Sequence, residues 1–316
     1  MAVGAGLVVF VGFVKQRRFE ARCRARSWPG SLVPASGGPV HVWCEGTGDP
    51  IVLFEASGLG TARQYQPVLP IIAQRTTACA WDRPGMGLSP PTAGGASAPN
   101  QGERILSALS ATGRQGQLVV VGASAGGMIS LYLARQHPER VVGVVLVDAL
   151  GPDAVDQFGE ALAKLATSAR RTAWAARFGL LGTLDPFRLS AEDACITYRS
   201  DVFEAASHFV SALAESARLL RLCPPMSERI PLIALRHGRP GDLVGSAAPL
   251  GEQVAAEPTW VRLQERLTAE SKVGQLRVVE GSGHLITNER PEAVVQAVRD
   301  VLDMIARPAS TIGPRP

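Results

Sequence analysis

The chain has 316 residues, 46% hydrophobic and 19% charged, with a formal net charge of +4. This balance describes a core-forming globular protein and excludes a disordered one. The positive charge comes mainly from arginines scattered along the chain, apart from the run Lys15 to Arg26, and aromatics are only 5%. A nucleic-acid binder clusters basic residues beside aromatics, so no nucleic-acid partner is expected.

Residues 1–14 carry no charge, and Lys15-Gln16-Arg17-Arg18 follows. The run is shorter than the ~20 residues of a spanning helix. It also lacks the leading basic residues and the clean small-x-small end of a secretory signal. A marginal membrane anchor is the preferred reading, with membrane association through residues 1–14. A signal-like segment and a plain apolar helix are the alternatives, the last leaving a cytoplasmic protein. Residues 19–38 are polar, arginine-rich and broken by Gly and Pro, and read as a linker.

Strand character begins at 39–44 (Pro-Val-His-Val-Trp-Cys) and returns at 51–54. A Gly-rich loop, Ser57-Gly58-Leu59-Gly60, leads into a helical stretch to about Gln74. Residues 77–81 form the next strand, closed by Asp82-Arg83-Pro84-Gly85-Met86-Gly87. A loop spans 88–99, a helix about 100–112, and strands 118–121 and 141–147 follow. From 151 to 223 apolar residues recur at helical spacing, as in Phe158, Leu162 and Leu165, and no strand run interrupts them. Strands return at 230–235 and 276–279, and the helix 291–305 closes the fold. Continuous apolar strands alternating with helices predict an α/β protein with a mostly parallel, doubly wound sheet. The core is then 39–150 and 224–307, with 151–223 a helical insertion and 308–316 a disordered tail.

The five cysteines (Cys23, Cys44, Cys79, Cys195, Cys223) are odd in number and widely spaced. They form no CxxC pair and no zinc-finger spacing, so neither a metal site nor a disulfide framework is expected. Cys44 and Cys79 lie in strands and read as small hydrophobes.

One stretch carries chemistry. Val119-Val120-Val121 runs into Gly122-Ala123-Ser124-Ala125-Gly126, and a helical pattern follows at once. Strand, Gly-flanked serine, helix is the order a nucleophile elbow requires. The two glycines let strand and helix approach closely, and the helix turns its positive end toward the serine.

With that elbow, the chain resembles the α/β-hydrolase superfamily over roughly residues 40–305, which implies that the helical insertion 151–223 is the family's lid. Four motifs carry the resemblance, in the family's order. They are Phe54-Glu55-Ala56-Ser57-Gly58-Leu59-Gly60, Asp82-Arg83-Pro84-Gly85-Met86-Gly87-Leu88-Ser89, the elbow, and Gly281-Ser282-Gly283-His284. Two positions depart from the common pattern: Glu55-Ala56 stands where many relatives have His-Gly, and Ala123 where histidine is frequent. Because the oxyanion donor is a backbone N–H, the first change need not disable it.

Serine needs a base and an orienting acid to act as a nucleophile. Ser124 is the expected nucleophile. Among five histidines, His284 follows the last strand in a Gly-rich loop, and the resemblance puts the base there too. Two acids remain open. Asp148 ends the strand after the elbow helix. Asp242 follows strand 230–235, the commoner place in the family. Asp148 is preferred because a strand end fixes it. Asp82 reads as a structural turn residue. The oxyanion hole is expected from Ala125 and from Ser57 or Gly58. The function implied is hydrolysis of a small-molecule carboxylic ester through an acyl-enzyme, with no cofactor. Amide or peptide cleavage, cofactor-free perhydrolysis and a non-catalytic binding role are the alternatives. Aspartate at the elbow would have suggested epoxide or haloalkane hydrolysis. Oligomeric state is not encoded in any feature above.

Overall fold

The computed structural model describes residues 2–24, 26–92, 94–184, 190–241 and 250–306. Among them, eight strands form one sheet: β1 (Ser31–Val33), β2 (Val40–Glu45), β3 (Ile51–Glu55), β4 (Ala78–Asp82), β5 (Leu118–Ala123), β6 (Val141–Val147), β7 (Leu232–His237) and β8 (Gln275–Val279). Their spatial order is β1-β2-β4-β3-β5-β6-β7-β8. β2 is antiparallel to both β1 and β4, and every pair from β4 to β8 is parallel.

The continuous apolar strands are explained by burial on both faces. In β5, Leu118 and Val120 enter one core layer with Leu53, Val144 and Leu146, while Val119 and Val121 enter the other with Val52, Phe54 and Val145. Helices α1 (Ala2–Arg24), α2 (Leu69–Ile72), α3 (Ala98–Ala111) and α4 (Gly126–Gln136) come first in the chain. Six helices then separate β6 from β7: α5 (Pro152–Gln157), α6 (Gly159–Arg177), α7 (Leu180–Leu184), α8 (Ala191–Thr197), α9 (Ser200–Ser211) and α10 (Leu213–Leu220). Last come α11 (Leu250–Thr268), α12 (Ile286–Glu289) and α13 (Pro291–Ala306). Ile105 and Leu109 of α3 and Met128 and Leu131 of α4 cover one face; Leu69 and Ile72 of α2 and Val294 and Val298 of α13 cover the other.

The structure corrects the reading of the N-terminal region. The apolar run does not end at the basic cluster but continues as one helix to Arg24, and Ser31–Val33 pairs with β2, so 19–38 is not all linker. The second half of α1 is docked: Cys23 is buried, Phe19 packs on a small core with Ala173, Leu181 and Phe203, and Gln16 Nε2 donates to the Tyr198 carbonyl at 2.7 Å. Among the described residues, no helix is long and apolar enough to cross a membrane.

The cysteine reading is corrected too. Cys23 and Cys195 form a disulfide between α1 and α8 across 172 residues, and Cys44 and Cys79 form another across the antiparallel β2–β4 pair. Wide sequence spacing concealed both, because the folded sheet places Cys44 directly opposite Cys79 in register. Cys223 is free. Asp242 and the tail 308–316 lie outside the described residues.

Candidate active site

β5 ends at Ala123 and α4 begins at Gly126, leaving Ser124 on the turn between them with φ +49°. A non-glycine residue in this left-handed region costs about 1–3 kcal/mol and persists only where its surroundings enforce it. Here Ser124 N–H donates to the Val147 carbonyl at 3.0 Å, and the Ser124 carbonyl accepts from Gly127 N–H at 2.9 Å and Leu150 N–H at 2.8 Å. A Cβ on Gly122 would lie 2.7 Å from Gly127 Cα, and one on Gly126 would lie 2.4 Å from the Glu55 carbonyl oxygen. Those are the close approaches that demand glycine on both sides of the serine.

His284 reaches back from the loop after β8. Its Nε2 lies 3.0 Å from Ser124 Oγ, and its Nδ1 lies 2.6 Å from Asp148 Oδ2. A carboxylate can only accept, so Nδ1 carries the proton and Nε2 is left to accept from the serine hydroxyl. Asp148 follows β6 with φ +45°, its backbone N–H donating to the Leu235 carbonyl at 2.7 Å. Both ends of the array therefore rest on strained, strand-end backbone. Ser124, His284 and Asp148 are all buried, at 5%, 8% and 0% exposure.

Asp148 has further partners that the sequence did not reveal. Trp260 Nε1 on α11 donates to its Oδ1 at 2.9 Å, as does the His237 backbone N–H at 3.2 Å. The His237 ring, wholly buried at the end of β7, places Nδ1 2.7 Å from Asp148 Oδ2. Burial raises the Asp148 carboxyl, but the hydrogen bonds and charge of His237 and His284 outweigh it and hold it at about 2. On its other side, His237 Nε2 lies 3.1 Å from Glu257 Oε2 of α11. Burial lowers the His237 ring, yet the two carboxylates prevail and raise it above the ordinary imidazole value.

The loop after β3 approaches the serine from the other side. A Cβ on Gly58 would lie 3.6 Å from Ala125 Cβ. Ser57 N–H is already taken by Gln64 Oε1 at 2.9 Å, which leaves Gly58 as the loop residue to pair with Ala125. Arg83 holds this loop from behind. Its guanidinium lies over the Phe209 ring, 4.2 Å from the centroid, and donates to the carbonyls of Ala56 (2.8 Å), Ser57 (2.5 Å) and Gly58 (3.3 Å). These three bonds fix the course of the loop beside the serine. Asp82 is engaged by the Ala62 and Leu88 N–H groups and by the His41 ring, so it shapes its turn and stands apart from Ser124.

His137 pairs with Glu103, and His208 lies on α9. Among the described residues, no cluster of His, Cys, Asp or Glu is arranged to hold a metal ion. A cavity of about 250 Å³ opens between α5, α6, α9 and α10, lined by Val155, Leu162, Ala166, Val210 and Leu213 among others. Val210 also stands against Gly58, 3.3 Å from where a Cβ on it would be, so this cavity adjoins the Gly58 loop.

Fold and site together define an α/β-hydrolase arrangement. The model of the Alpha/beta hydrolase family matches residues 25–297, and the chain belongs to that family. Solved structures with the same fold include an esterase from Thermogutta terrifontis (20% identity, TM-score 0.60, covering 89% of this chain and 100% of that one). An enol-lactonase from Burkholderia xenovorans (18%, 0.61, 86% and 100%) and a bacterial membrane phospholipase A (22%, 0.62, 97% and 96%) share it as well. An uncharacterized protein of Schizosaccharomyces pombe is 32% identical over 97 residues, 31% of this chain and 18% of the relative. The chain thus spans about a fifth of the length of that curated relative.

Proposed function

We propose that the protein hydrolyses carboxylic esters through an acyl-enzyme on Ser124. The observation that carries this reading is the continuous hydrogen-bonded chain Ser124 Oγ, His284, Asp148, at 3.0 and 2.6 Å. In the first half-reaction, His284 Nε2 takes the Ser124 proton as Oγ attacks the ester carbonyl. Asp148 stabilises the imidazolium that forms. The oxyanion is held by the N–H groups of Ala125 and Gly58. His284 then gives its proton to the departing alcohol. In the second half, water gives a proton to His284 as it attacks the acyl carbonyl, and His284 returns that proton to Ser124 Oγ as the acid is released. The helices between β6 and β7 act as a lid, and the cavity between them receives the apolar acyl part.

The esterase and lactonase names among the structural neighbours support the ester class. The test is a panel of p-nitrophenyl esters of increasing chain length beside the matching anilides, with wild type and Ser124→Ala. Ester turnover lost in Ser124→Ala, with anilides inert, is the expected result. Faster anilide turnover would move the assignment to amide cleavage.

We also propose that α1 holds the protein to a membrane surface rather than spanning it. Exposed Phe10, Val11 and Phe13 lie on the helix whose Gly12 packs against the Phe178 carbonyl and Gly179, and Trp174, Leu180 and Leu184 near that turn are exposed as well. Lys15, Arg17 and Arg18 are exposed beside this apolar patch. The basic residues follow the exposed apolar stretch along the same helix, where they would meet the headgroups of an anionic bilayer.

A further inference from the structure

Asp148 does not serve one histidine alone. Its Oδ2 faces Nδ1 of both His284 (2.6 Å) and His237 (2.7 Å), and its Oδ1 takes two more N–H donors, from Trp260 and the His237 backbone. Four donors fix the carboxylate against rotation. The second ring nitrogen of His237 faces another carboxylate oxygen, on Glu257, which also accepts from Gly241 N–H at 3.3 Å. A neutral imidazole carries one N–H and cannot donate to two carboxylates at once.

We propose that His237 and Glu257 are positioning residues of the reaction centre: His237 bridges Asp148 and Glu257 as an imidazolium, and the three groups together present one net negative charge to His284. This rests on the reading of Ser124, His284 and Asp148 as the catalytic unit. The charge balance explains why both residues are needed. An imidazolium beside Asp148 would cancel the charge that stabilises protonated His284. Glu257 supplies a second negative charge behind it and restores the balance.

Other charged groups near His237 lie outside this line. Arg236 Nη1 donates to the His237 carbonyl, Glu280 stands by Gly238, and Arg239 pairs with Glu289, whose Oε2 also accepts from Gly283 N–H. Ser124 lies at the other ring nitrogen of His284, and the Trp260 ring, itself bonded to Asp148, meets His284 edge-on at 6.0 Å.

The test is the pH profile of kcat/KM in the ester assay for wild type, His237→Gln, Glu257→Gln and the double variant. The acid limb reports protonation of His284 in the free enzyme. Removing the cation leaves two carboxylates behind His284, so His237→Gln moves the limb to higher pH, by on the order of one unit. Glu257→Gln leaves the cation beside Asp148 and moves it to lower pH. The double variant returns it close to wild type. A merely structural role predicts lower rates with an unmoved limb, and that result in both single variants would overturn the proposal. If His237→Gln does not fold, the limb of Glu257→Gln decides: a shift down supports the proposal, and no shift or a shift up overturns it. Ser124→Ala in the same assay separates the two readings. Activity kept by Ser124→Ala sinks the triad itself, whereas activity lost there with unmoved limbs elsewhere sinks only the bridge.

Discussion

Glu55 stands where many relatives carry histidine, and here it is a wholly buried carboxyl. Its Oε1 accepts from Trp81 Nε1 at 2.8 Å, while Oε2 has no hydrogen-bond partner. Burial pushes the carboxyl up to about 8, partly offset by Trp81 and by the charge of Arg83. The folded chain therefore keeps a proton that the unfolded chain releases above the ordinary glutamate value of 4.5. Stability associated with Glu55 is full below that value and falls as pH rises toward 8, by up to about 1.4 kcal/mol per pH unit. Glu55→Gln keeps the acceptor for Trp81 and removes the titration. Urea unfolding at pH 5, 6.5 and 8 should show the variant gaining on wild type with rising pH; parallel curves would refute this. Asp148 is the reverse case, depressed and ionised throughout that range. Asp148→Asn forces the wrong tautomer on His284 and should cut kcat by ~10³–10⁴-fold, with Asp242→Asn near wild type; the opposite ranking of the two rates would reassign the acid. Ser124 and His284 stood out because each follows an apolar strand within a spaced motif; Asp148 belongs to none of the four motifs and was preferred to Asp242 only for its place at a strand end. His237, Glu257, Trp260 and Arg83 were not, because their roles come from contacts between distant segments.

At the scale of elements, the apolar strands were readable because burial on both faces leaves an unbroken Val/Ile/Leu run. β1 was not: three residues, two of them exposed, leave no such run. α11 carries Pro258 in its interior and charges on several sides, so no clean helical period marked it, although it supplies Glu257 and Trp260 to the site. α1 was read as two pieces because its composition changes at Lys15, yet a helix can cross from apolar to basic sequence when its second half is docked, here by Phe19, Gln16 and the Cys23–Cys195 disulfide. That docking ties α1 to the helices between β6 and β7. If the exposed face of α1 meets lipid, full-length protein should sediment with anionic vesicles and much less with neutral ones, and added salt should weaken it. A Phe10→Ser, Phe13→Ser, Trp174→Ser triple variant should stay in the supernatant. Wild type remaining in the supernatant with anionic vesicles would contradict a surface role for this helix.

At the scale of the molecule, the sheet converts sequence distance into one hydrogen-bonded array. Ser124 and Asp148 follow neighbouring parallel strands, and His284 arrives from the far edge, so residues 136 and 160 positions apart meet within hydrogen-bond reach. The family and the fold were readable from four motifs in order; the substrate was not, since the residues lining the cavity between α5, α6, α9 and α10 share only a helical period. The central claim is that Ser124 is an activated nucleophile, and a fluorophosphonate probe tests it most directly. Intact mass and peptide mapping after brief exposure should find one adduct, on Ser124, in wild type. Labelling should slow sharply in His284→Ala and vanish in Ser124→Ala. A wild-type protein that remains unlabelled, or an adduct that persists in Ser124→Ala, would contradict the account.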